Sequence, residues 1–369
     1  MNFKAIPSQK IKEMLADGRI AGGDAADIQP ASMDLTLTGE AYRMRWTFLP
    51  QKNEKIADIV EMGALYPFDL KNPLEPGAIY LIRLKETIAL PKNVFALTNN
   101  KSSTGRVNLE TRVVADGVPR FDRLPLGYKG PLWLEITSKS FFIKLNEGDK
   151  VNQARFFEIT DEKNISLRDI YYEHELLYDK AGKFISDKNA LHRDNDNSII
   201  MSIDLASDKE IIGFKAIHTG EILDFSKKDY HAPEDFFEPL KSPRDGRFPL
   251  KSGEFYILST KEFIRVPPKY SVEMAAYDIG SGEFRSHYAG FFDPGFGYGA
   301  RGEVLGTPAV LEVKPYDNNF ILRDGQPICK MIFVEVSEIP DLIYGVGGLG
   351  SHYQKQRGAF LSKHFKKGR

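Results

Sequence analysis

Two glutamates each follow a pair of apolar residues in segments of strand length. Glu135 ends a W-L-E triplet that begins at Trp133, and Glu312 ends a V-L-E triplet that begins at Val310. A carboxyl group in apolar surroundings has a raised pKa and can accept and return a proton near neutral pH. The same pattern also fits an ordinary strand whose glutamate points into solvent. Both residues are therefore candidate general acid/base groups, with the solvated strand position as the alternative.

A polar segment of six residues, from Lys101 to Arg106, has the composition of a phosphate-binding turn. It reads KSSTGR, which brings the hydroxyl groups of Ser102 and Ser103 close to the guanidinium group of Arg106. Hydroxyl groups, backbone N–H groups and an arginine fork bind phosphate oxygens through charge-assisted hydrogen bonds. The alternative is a polar β-turn whose arginine is solvated.

Two segments later in the chain have residues that could hold other parts of a ligand. Asp293 lies between Phe292 and a Pro-Gly pair, a composition that is also typical of a simple turn. Tyr353 and Gln356 follow a pair of glycines at 347–348, which can serve as a hinge for a closing segment. Residues 363–369 are expected to be disordered.

The composition excludes several classes of protein. The 369 residues carry 50 Lys and Arg against 51 Asp and Glu, a net charge of −1, which argues against a general nucleic-acid binder. No run of 18 apolar residues predicts a membrane span, and the N-terminus lacks the apolar core of a signal peptide. The lone cysteine, Cys329, cannot form an internal disulfide or a zinc site built on a cysteine pair. We therefore expect a cytoplasmic protein, and we assign no metal site, because the seven histidines show no ligand spacing.

The candidate residues must be positioned by a mainly β scaffold with few short helices. Short apolar runs recur between Gly, Pro, Asn and Asp at spacings typical of a barrel or sandwich, at 78–84, 94–97, 131–136, 254–258 and 330–336. One helix is predicted near the start, with Ser8 as its N-cap and Gly18 as its stop. Its apolar face would carry Ile11, Met14 and Leu15.

The strand pattern occurs twice, which predicts two tandem copies of one β-domain. The W-L-E and V-L-E triplets lie 177 residues apart, and Pro76-Gly77 lies 176 residues before Ser252-Gly253. Further matched landmarks keep the same order along the chain. We predict a first copy, a polar linker and a second copy that includes a C-terminal lid, at 1–160, 161–196 and 197–369.

Five segments together resemble the dCTP deaminase branch of the dUTPase-like superfamily. They are the strand QPASMDLTL, the KSSTGR segment, the HYAGFFDPGFG hairpin, the VLE strand and the HYQKQRG tail, at 29–37, 101–106, 287–297, 310–312 and 352–358. Their number and shared order carry the resemblance. Members usually have one copy of the domain, so this chain looks like a tandem version.

The resemblance implies distorted β-barrel domains that assemble as homo-oligomers, with sites between neighbouring domains. It also implies hydrolytic deamination of dCTP to dUTP and ammonia without a catalytic zinc, with Mg²⁺ as the counter-ion of the triphosphate. A glutamate, Glu312 or Glu135, would take a proton from the attacking water and return one to the leaving amine. The resemblance further implies that Lys101, Ser102, Ser103 and Arg106 bind the phosphates and that Asp293 contacts the sugar 3′-hydroxyl group. Tyr353 and Gln356 would cover the base and the phosphates. Val310, on the strand of the glutamate, would also bind the substrate.

The two copies depart from the family pattern in complementary ways. Copy one keeps the KSSTGR segment but reads LPLG at 124–127, where the family has Asp-Pro-Gly. Copy two keeps Asp293, Glu312 and the tail, but Asp278 at its phosphate segment would repel a triphosphate. One hypothesis is a composite site, in which copy one binds the phosphates and copy two supplies the rest. If like copies assemble with one another, Glu135 is the better candidate for the acid/base group.

Two other functions remain open from the sequence. The same scaffold serves dUTP diphosphatases, so the chain could hydrolyse dUTP or carry dCTP through to dUMP. The degraded motif in each copy also fits a non-catalytic nucleotide-binding regulator.

Overall fold

The structure is a computed structural model that describes residues 2–163, 166–186, 198–206, 211–277, 284–285 (backbone), 290–346, 353–354 and 356–367. The chain divides into two compact units. Unit one comprises Met1–Asp161, His218–Phe236 and Ser362–Arg369, and unit two comprises Glu162–Ile217 and Phe237–Leu361. Two segments distant in sequence therefore belong to unit one.

Unit one is mainly β, with three short helices in its described residues. The helices are α1 Ser8–Ala16, α2 Ile56–Gly63 and α3 Ser102–Gly105, with 3₁₀ turns at Ala25–Asp27 and Pro233–Asp235. With strand labels in chain order across both units, its strands are β1 Asn2–Ala5, β2 Ile20–Ala21, β3 Met33–Leu35, β4 Leu37–Met44, β5 Ala64–Pro67, β6 Ile79–Ala89, β7 Val94–Asn100, β8 Leu109–Ala115, β9 Arg123–Leu124, β10 Lys129–Ser138, β11 Phe142–Lys144, β12 Asn152–Thr160 and β16 Ile222–Asp224.

Two sheets form the body of unit one. The first has the order β5-β4-β6-β10-β8, with β2 paired to β6, and the second has the order β1-β12-β7-β9, with β3 paired to β12. A short parallel pair joins β11 to β16. Strand β10 is central, and its Leu132, Leu134 and Ile136 side chains are fully buried because alternate residues of a strand share one face.

Unit two repeats this mainly β arrangement. Its helix is α4 Leu167–His174, and its strands are β13 Leu177–Tyr178, β14 Ser198–Ser202, β15 Ile211–Ala216, β17 Phe237–Lys241, β18 Arg247–Leu250, β19 Tyr256–Ile264, β20 Tyr270–Ala276, β21 Phe284–Arg285, β22 Phe291–Phe292, β23 Thr307–Pro315, β24 Phe320–Arg323 and β25 Pro327–Glu335. The sheets have the orders β17-β15-β19-β23-β21, with β13 paired to β19, and β14-β25-β20-β22, beside a β18-β24 pair. Their inward side chains form one apolar core.

The two units share strand register at the candidate glutamates. Glu135 lies opposite Leu81 of β6, and Glu312 lies opposite Ile257 of β19. A local contact also recurs, since the hydroxyl oxygens of Tyr80 and Tyr256 each accept a hydrogen bond from the backbone N–H group five residues earlier, at 3.1 and 2.9 Å. The same side chains thus position the central strand pair in both units.

The predicted strands and the first helix are present, with one error of detail. Strands cover all five predicted apolar runs, as β6, β7, β10, β19 and β25. The helix begins at Ser8, but the N-cap position belongs to Pro7, so Ser8 is the first helical residue rather than the cap. Gly18, with a φ of 71°, follows the helix end as expected. None of the helices in the described ranges is long and apolar enough to cross a bilayer.

Candidate active site

Glu135 is a buried carboxyl group near the centre of a sheet. It lies on β10 between Leu81 of β6 and Arg112 of β8. Alternation places it on the face opposite the fully buried leucines of β10, beside Trp133. The residue is 8% exposed, so the alternative of a glutamate in solvent is wrong for this position.

The segment that follows β4 covers Glu135. Its helix α2 packs Ile56 and Val60 against Trp133 and Leu81, and the Ile56 N–H group donates to the Asp116 carboxylate at 2.9 Å. This packing is expected of an amphipathic helix with apolar residues four positions apart. The cover therefore belongs to the same apolar cluster as the strand beneath it.

A threonine from this cover contacts the Glu135 carboxyl group. The Thr47 Oγ1 atom lies 2.8 Å from both Glu135 carboxyl oxygens. Burial raises the pKa of Glu135, and the hydrogen bonds from the Thr47 hydroxyl group and the Phe48 backbone lower that pKa in part. The carboxyl group is thus held in one orientation and can keep a proton at a higher pH than a solvated glutamate.

Charged side chains on β8 lie around this carboxyl group. Arg112 forms ion pairs with Asp122, at 2.8 Å, and with Glu110, at 3.2 Å. Lys139, beyond the end of β10, pairs with Glu110 at 3.1 Å. Glu110 raises the pKa of Glu135 and Lys139 lowers it, both less than burial does.

The KSSTGR segment forms α3 directly after β7, and most of it is buried. Ser103, Thr104 and Arg106 are 4%, 0% and 3% exposed, whereas Ser102 is half-buried. The Lys101 ammonium group forms an ion pair with the Asp34 carboxylate of β3. A solvated Arg106 is therefore excluded, and the ligand role of the segment remains a prediction.

A short connection joins the phosphate motif to the end of the Glu135 strand. The Asn108 carbonyl oxygen accepts from the Lys139 N–H group at 2.9 Å, and the Asn108 side chain donates to Ser140 Oγ at 2.7 Å. Asn108 has a φ of 55°, a left-handed conformation that asparagine tolerates better than most residues. Unit one thus places the KSSTGR segment just before β8, the strand that pairs with the Glu135 strand.

Residues 362–367 contact the KSSTGR segment through Ser362 and residues 225–231 through the positions that follow, which corrects the prediction of disorder. Ser362 Oγ donates to the Ser103 carbonyl oxygen at 2.8 Å. Phe365 is 3% exposed and bridges to His231, and the His364 ring lies 4.1 Å from the Phe225 ring. The predicted disorder is therefore wrong for this segment.

In unit two, Glu312 is more deeply buried than Glu135. It is 1% exposed on β23, the strand next to β19 in that sheet. Val310 lies two residues before it on the same face and is 6% exposed. The solvated alternative is wrong for Glu312 as well.

Asp293 lies in a tight turn after β22. Its carbonyl oxygen accepts from the Phe296 N–H group at 3.0 Å, and Gly295 has a φ of 97°. Phe292 pairs with Val272 of β20, as Leu124 pairs with Ala96 of β7 in unit one. Asp293 in unit two therefore corresponds to Pro125 in unit one. This agrees with the sequence analysis, in which the LPLG segment of copy one lacks the aspartate.

The tail fastens to this turn and to β23. The Gln354 side chain accepts from the Gly297 N–H group at 3.3 Å and donates to the Gly295 carbonyl oxygen at 3.1 Å. Its own carbonyl oxygen accepts from Thr307 Oγ1 at 2.8 Å. Gln356 Nε2 donates to the Pro308 carbonyl oxygen at 2.9 Å, four residues before the buried glutamate. Unit two thus brings the aspartate turn, the glutamate strand and the tail together.

Some predicted features lie outside the described residues. They are Asp278, the hairpin residues 287–289, the glycines 347–348, His352 and Lys355. Tyr353 is described and is partly exposed. Among the described residues, no three His, Cys, Asp or Glu side chains are grouped as metal ligands.

Comparison with known protein families decides what the two units are. The family model for the 2'-deoxycytidine 5'-triphosphate deaminase (DCD) N-terminal domain matches residues 3–160. The model for the C-terminal domain of the same deaminase matches residues 167–365. The chain belongs to the dCTP deaminase family. It is therefore a member of a family of deaminase enzymes.

Individual relatives agree with this membership. The chain is 30% identical, over 169 residues, to a dUMP-forming dCTP deaminase of Kocuria rhizophila, a match that covers 42% of this chain and 80% of the relative. It is 34% identical over 121 residues to a dUMP-forming dCTP deaminase of Bifidobacterium longum, covering 31% and 57%. The crystal structure of 2'-deoxycytidine 5'-triphosphate deaminase from Agrobacterium tumefaciens matches with a TM-score of 0.80 and 35% identity, over 92% of this chain and all of that chain. The predicted dUTPase-like fold is thereby confirmed.

Sequence reasoning about this deaminase-family chain missed three contacts. Thr47 and Gln354 form hydrogen bonds with the candidate catalytic elements. No local sequence motif predicts these bonds. The hydrogen bond between Ser362 and Ser103 joins residues that lie 259 positions apart in the sequence. One signal in the sequence was Phe365, an aromatic residue in a lysine-rich segment. Aromatic side chains bury a large area, so this residue indicates that the segment packs against the protein.

Proposed function

We propose that the chain hydrolyses the amino group of dCTP to release ammonia, with Glu312 as the general acid/base. The observation that carries this proposal is the burial of the Glu312 carboxyl group. The tail is hydrogen-bonded to the strand of Glu312, and the same tail is hydrogen-bonded to the aspartate turn. A carboxyl group excluded from water is suited to proton transfer near neutral pH. Membership of the deaminase family supports the choice of substrate.

The proposed chemistry needs one proton carrier. Water attacks C4 of the cytosine ring and gives a proton to the Glu312 carboxylate while the C4–O bond forms. The carboxylic acid gives this proton to N3, because the C4–N3 double bond has become single. The carboxylate then takes the proton of the new C4 hydroxyl group and passes it to the 4-amino group, the C4–N bond breaks, and ammonia leaves as the C4 carbonyl of uracil forms. The two hydrogens of water thus end on N3 and on ammonia. One glutamate serves both steps, because its protonation state is restored at the end.

The remaining predicted residues would hold the nucleotide. Lys101, Ser102, Ser103 and Arg106 are proposed to bind the phosphates, with Mg²⁺ as the counter-ion of the triphosphate. Asp293 is proposed to accept the hydrogen of the sugar 3′-hydroxyl group. Val310, Tyr353 and Gln356 are proposed to cover the nucleotide. The composite arrangement, the homo-oligomer and the cytoplasmic location stay predictions.

The proposal is tested by the products that dCTP gives. Incubation of the full chain with dCTP and Mg²⁺ should release one ammonia per nucleotide, measured by a coupled enzyme assay and by the loss of cytosine absorbance. Glu312→Gln should abolish this release without unfolding the protein. A wild-type chain that binds dCTP tightly but releases no ammonia would support the regulator instead.

Formation of dUMP is the second candidate. It is favoured by the names of the Kocuria rhizophila and Bifidobacterium longum relatives, which are dUMP-forming dCTP deaminases. This activity adds attack of water at the α-phosphorus, with pyrophosphate as the leaving group. Equal yields of ammonia and pyrophosphate from dCTP would establish it, whereas ammonia without pyrophosphate would establish dUTP as the product.

A further inference from the structure

Residues 362–367 place a lysine beside the phosphate motif of unit one. We infer that Lys363 is a further phosphate-binding residue, which acts on a nucleotide triphosphate together with Lys101 and Ser102. The inference rests on the proposed function in one respect, namely that the KSSTGR segment binds phosphate. It adds a residue from a segment that carries none of the family's phosphate motif.

The backbone of Lys363 is fixed on both sides. Ser362 Oγ donates to the Ser103 carbonyl oxygen at 2.8 Å, inside the phosphate motif. The Asp229 N–H group donates to the Lys363 carbonyl oxygen at 2.9 Å. The carbonyl oxygen of His364 accepts from two further N–H groups of the 229–231 segment, both at 3.1 Å. The lysine is thus held next to the motif rather than carried on a free end.

The charges around Lys363 favour an anion. Burial and, to a smaller extent, the ammonium groups of Lys101 and Lys228 lower the pKa of Lys363, Asp34 and Asp149 oppose them, and the resulting pKa is about 8. Asp34 already forms an ion pair with Lys101. Three cations are therefore gathered near two carboxylates. An anion placed among them would relieve the repulsion between the lysines.

The neighbouring histidine does not supply the same charge. The His364 Nδ1–H group donates to the Lys227 carbonyl oxygen at 2.9 Å. Burial, with further contributions from Lys363, His231 and Lys228, lowers the pKa of His364 to about 4, so it is neutral at pH 7. Lys227 lies over the Tyr230 ring, 4.2 Å from its centroid. Lys363 is thus the residue of this segment whose charge interacts with Lys101 of the motif, and it directly follows the serine that is hydrogen-bonded to Ser103.

A lysine and serine hydroxyl groups suit the oxygens of a phosphate chain. Lysine acts as a compact point charge with three donors, and its hydrogen bonds to an anionic oxygen are charge-assisted. The cytosine and sugar of a nucleoside offer no such anion. The contribution of Lys363 should therefore depend on the phosphates of the ligand and not on its base.

Binding of inorganic tripolyphosphate and of dCTP to the full chain tests this inference. Calorimetry on Lys363→Gln should show about tenfold weaker binding of both ligands than wild type, since one charge-assisted contact is lost. Binding of deoxycytidine should not change. Lys366→Gln is the matched control, because Lys366 is an exposed lysine of the same segment, and it should bind within twofold of wild type.

The charge itself is tested by pH and by a conservative variant. Tripolyphosphate affinity of the wild type should fall as the pH rises through about 8, because the ammonium group is lost. Lys363→Arg should keep its affinity at pH 9. A fall that persists in Lys363→Arg would overturn the inference.

The outcomes separate this inference from the proposed function. Unchanged tripolyphosphate and dCTP affinity in Lys363→Gln overturns the role of Lys363, even if dCTP is deaminated. If dCTP gives no ammonia, the proposed function fails, while tripolyphosphate binding still decides the role of Lys363. A variant that unfolds is replaced by Lys363→Met, which keeps the length of the side chain, and thermal unfolding of each protein identifies that case.

Discussion

Glu135 and Glu312 occupy the same register in two sheets, but different segments lie next to them. In unit one the chain leaves β4, folds back over Glu135 and places Thr47 on the carboxyl group. In unit two, β15 ends at Ala216, and the segment His218–Phe236 that comes soon after it belongs to unit one. The strand of Glu312 is instead held by the tail, through Gln354 and Gln356. The two units thus share the strand register of their carboxyl groups, but different segments of the chain lie next to each carboxyl group.

The largest expected difference is catalytic. Glu312→Gln should lower kcat for ammonia release by about 10² to 10⁴, the usual range for loss of a general acid/base. Glu135→Gln should keep kcat within about threefold, because its carboxyl group is already engaged by Thr47. Initial rates with dCTP measure both variants, and thermal unfolding checks their folds. The opposite order of the two variants would assign proton transfer to Glu135.

The aspartate turn offers a second contrast between the units. Asp293→Asn should lower kcat/KM for dCTP about 10- to 100-fold, because a hydrogen bond between a charged acceptor and the sugar is weakened. With 2′,3′-dideoxycytidine triphosphate, which lacks the 3′-hydroxyl group, wild type and variant should react alike. Pro125→Ala, at the matching position of unit one, is the control and should have little effect. A loss of equal size with both nucleotides would argue against the sugar contact.

The tail contact should give a smaller effect. Gln354→Ala removes hydrogen bonds to Gly295 and Gly297. Because these bonds fix the position of the tail relative to the aspartate turn, kcat/KM for dCTP should fall about tenfold. Gln326→Ala changes a glutamine that accepts from Arg323 in a hairpin turn of the same unit, and serves as the control. Steady-state kinetics compare the two. Equal activity in both variants would show that the tail does not position the turn.

The smallest expected effect is on stability, at the cover of Glu135. The folded state keeps the Glu135 proton to a higher pH than the unfolded state, because burial raises the pKa, so stability falls as the pH rises through this interval. Thr47→Val removes a hydrogen bond that opposes the shift. The variant should therefore lose about 2 kcal/mol at pH 8 and less at pH 3, which is below the ordinary glutamate pKa of 4.5, so that the carboxyl group is protonated in both states.

Urea unfolding at the two pH values measures this difference. Thr38→Val is the matched control, since the Thr38 hydroxyl group donates to the Arg83 carbonyl oxygen at 2.8 Å rather than to a carboxyl group. Its effect should be the same at both pH values. A Thr47→Val effect that does not change with pH would mean that the hydroxyl group does not act on the charge of Glu135.

The strands could be predicted because their pattern is local. Apolar runs between turn residues determine where β6, β10, β19 and β25 lie, and alternation determines which side chains face the core. The aspartate turn could be placed for the same reason, since its Pro-Gly pair limits the backbone. The sequence leaves Glu135 and Glu312 open between burial and solvent, and the folded structure decides for burial.

The contacts of the candidate site could not be predicted in this way. Thr47 reaches Glu135 across 88 residues, and Ser362 reaches Ser103 across 259. Single hydrogen bonds over such distances leave no periodicity in the sequence. The error at the first helix has a different cause, because serine favours both the cap and the first turn, and here Pro7 takes the cap position.

The assignment of residues 362–367 to unit one has a consequence for synthesis on the ribosome. A nascent chain emerges from its N-terminal side, and early domains generally fold as they appear. Here the partner that covers the Ser102–Gly105 helix is translated about 200 residues after Asp161. Maturation of the first unit is therefore a late event, and a ribosome-stalled chain ending before Ser362 should expose this helix to protease.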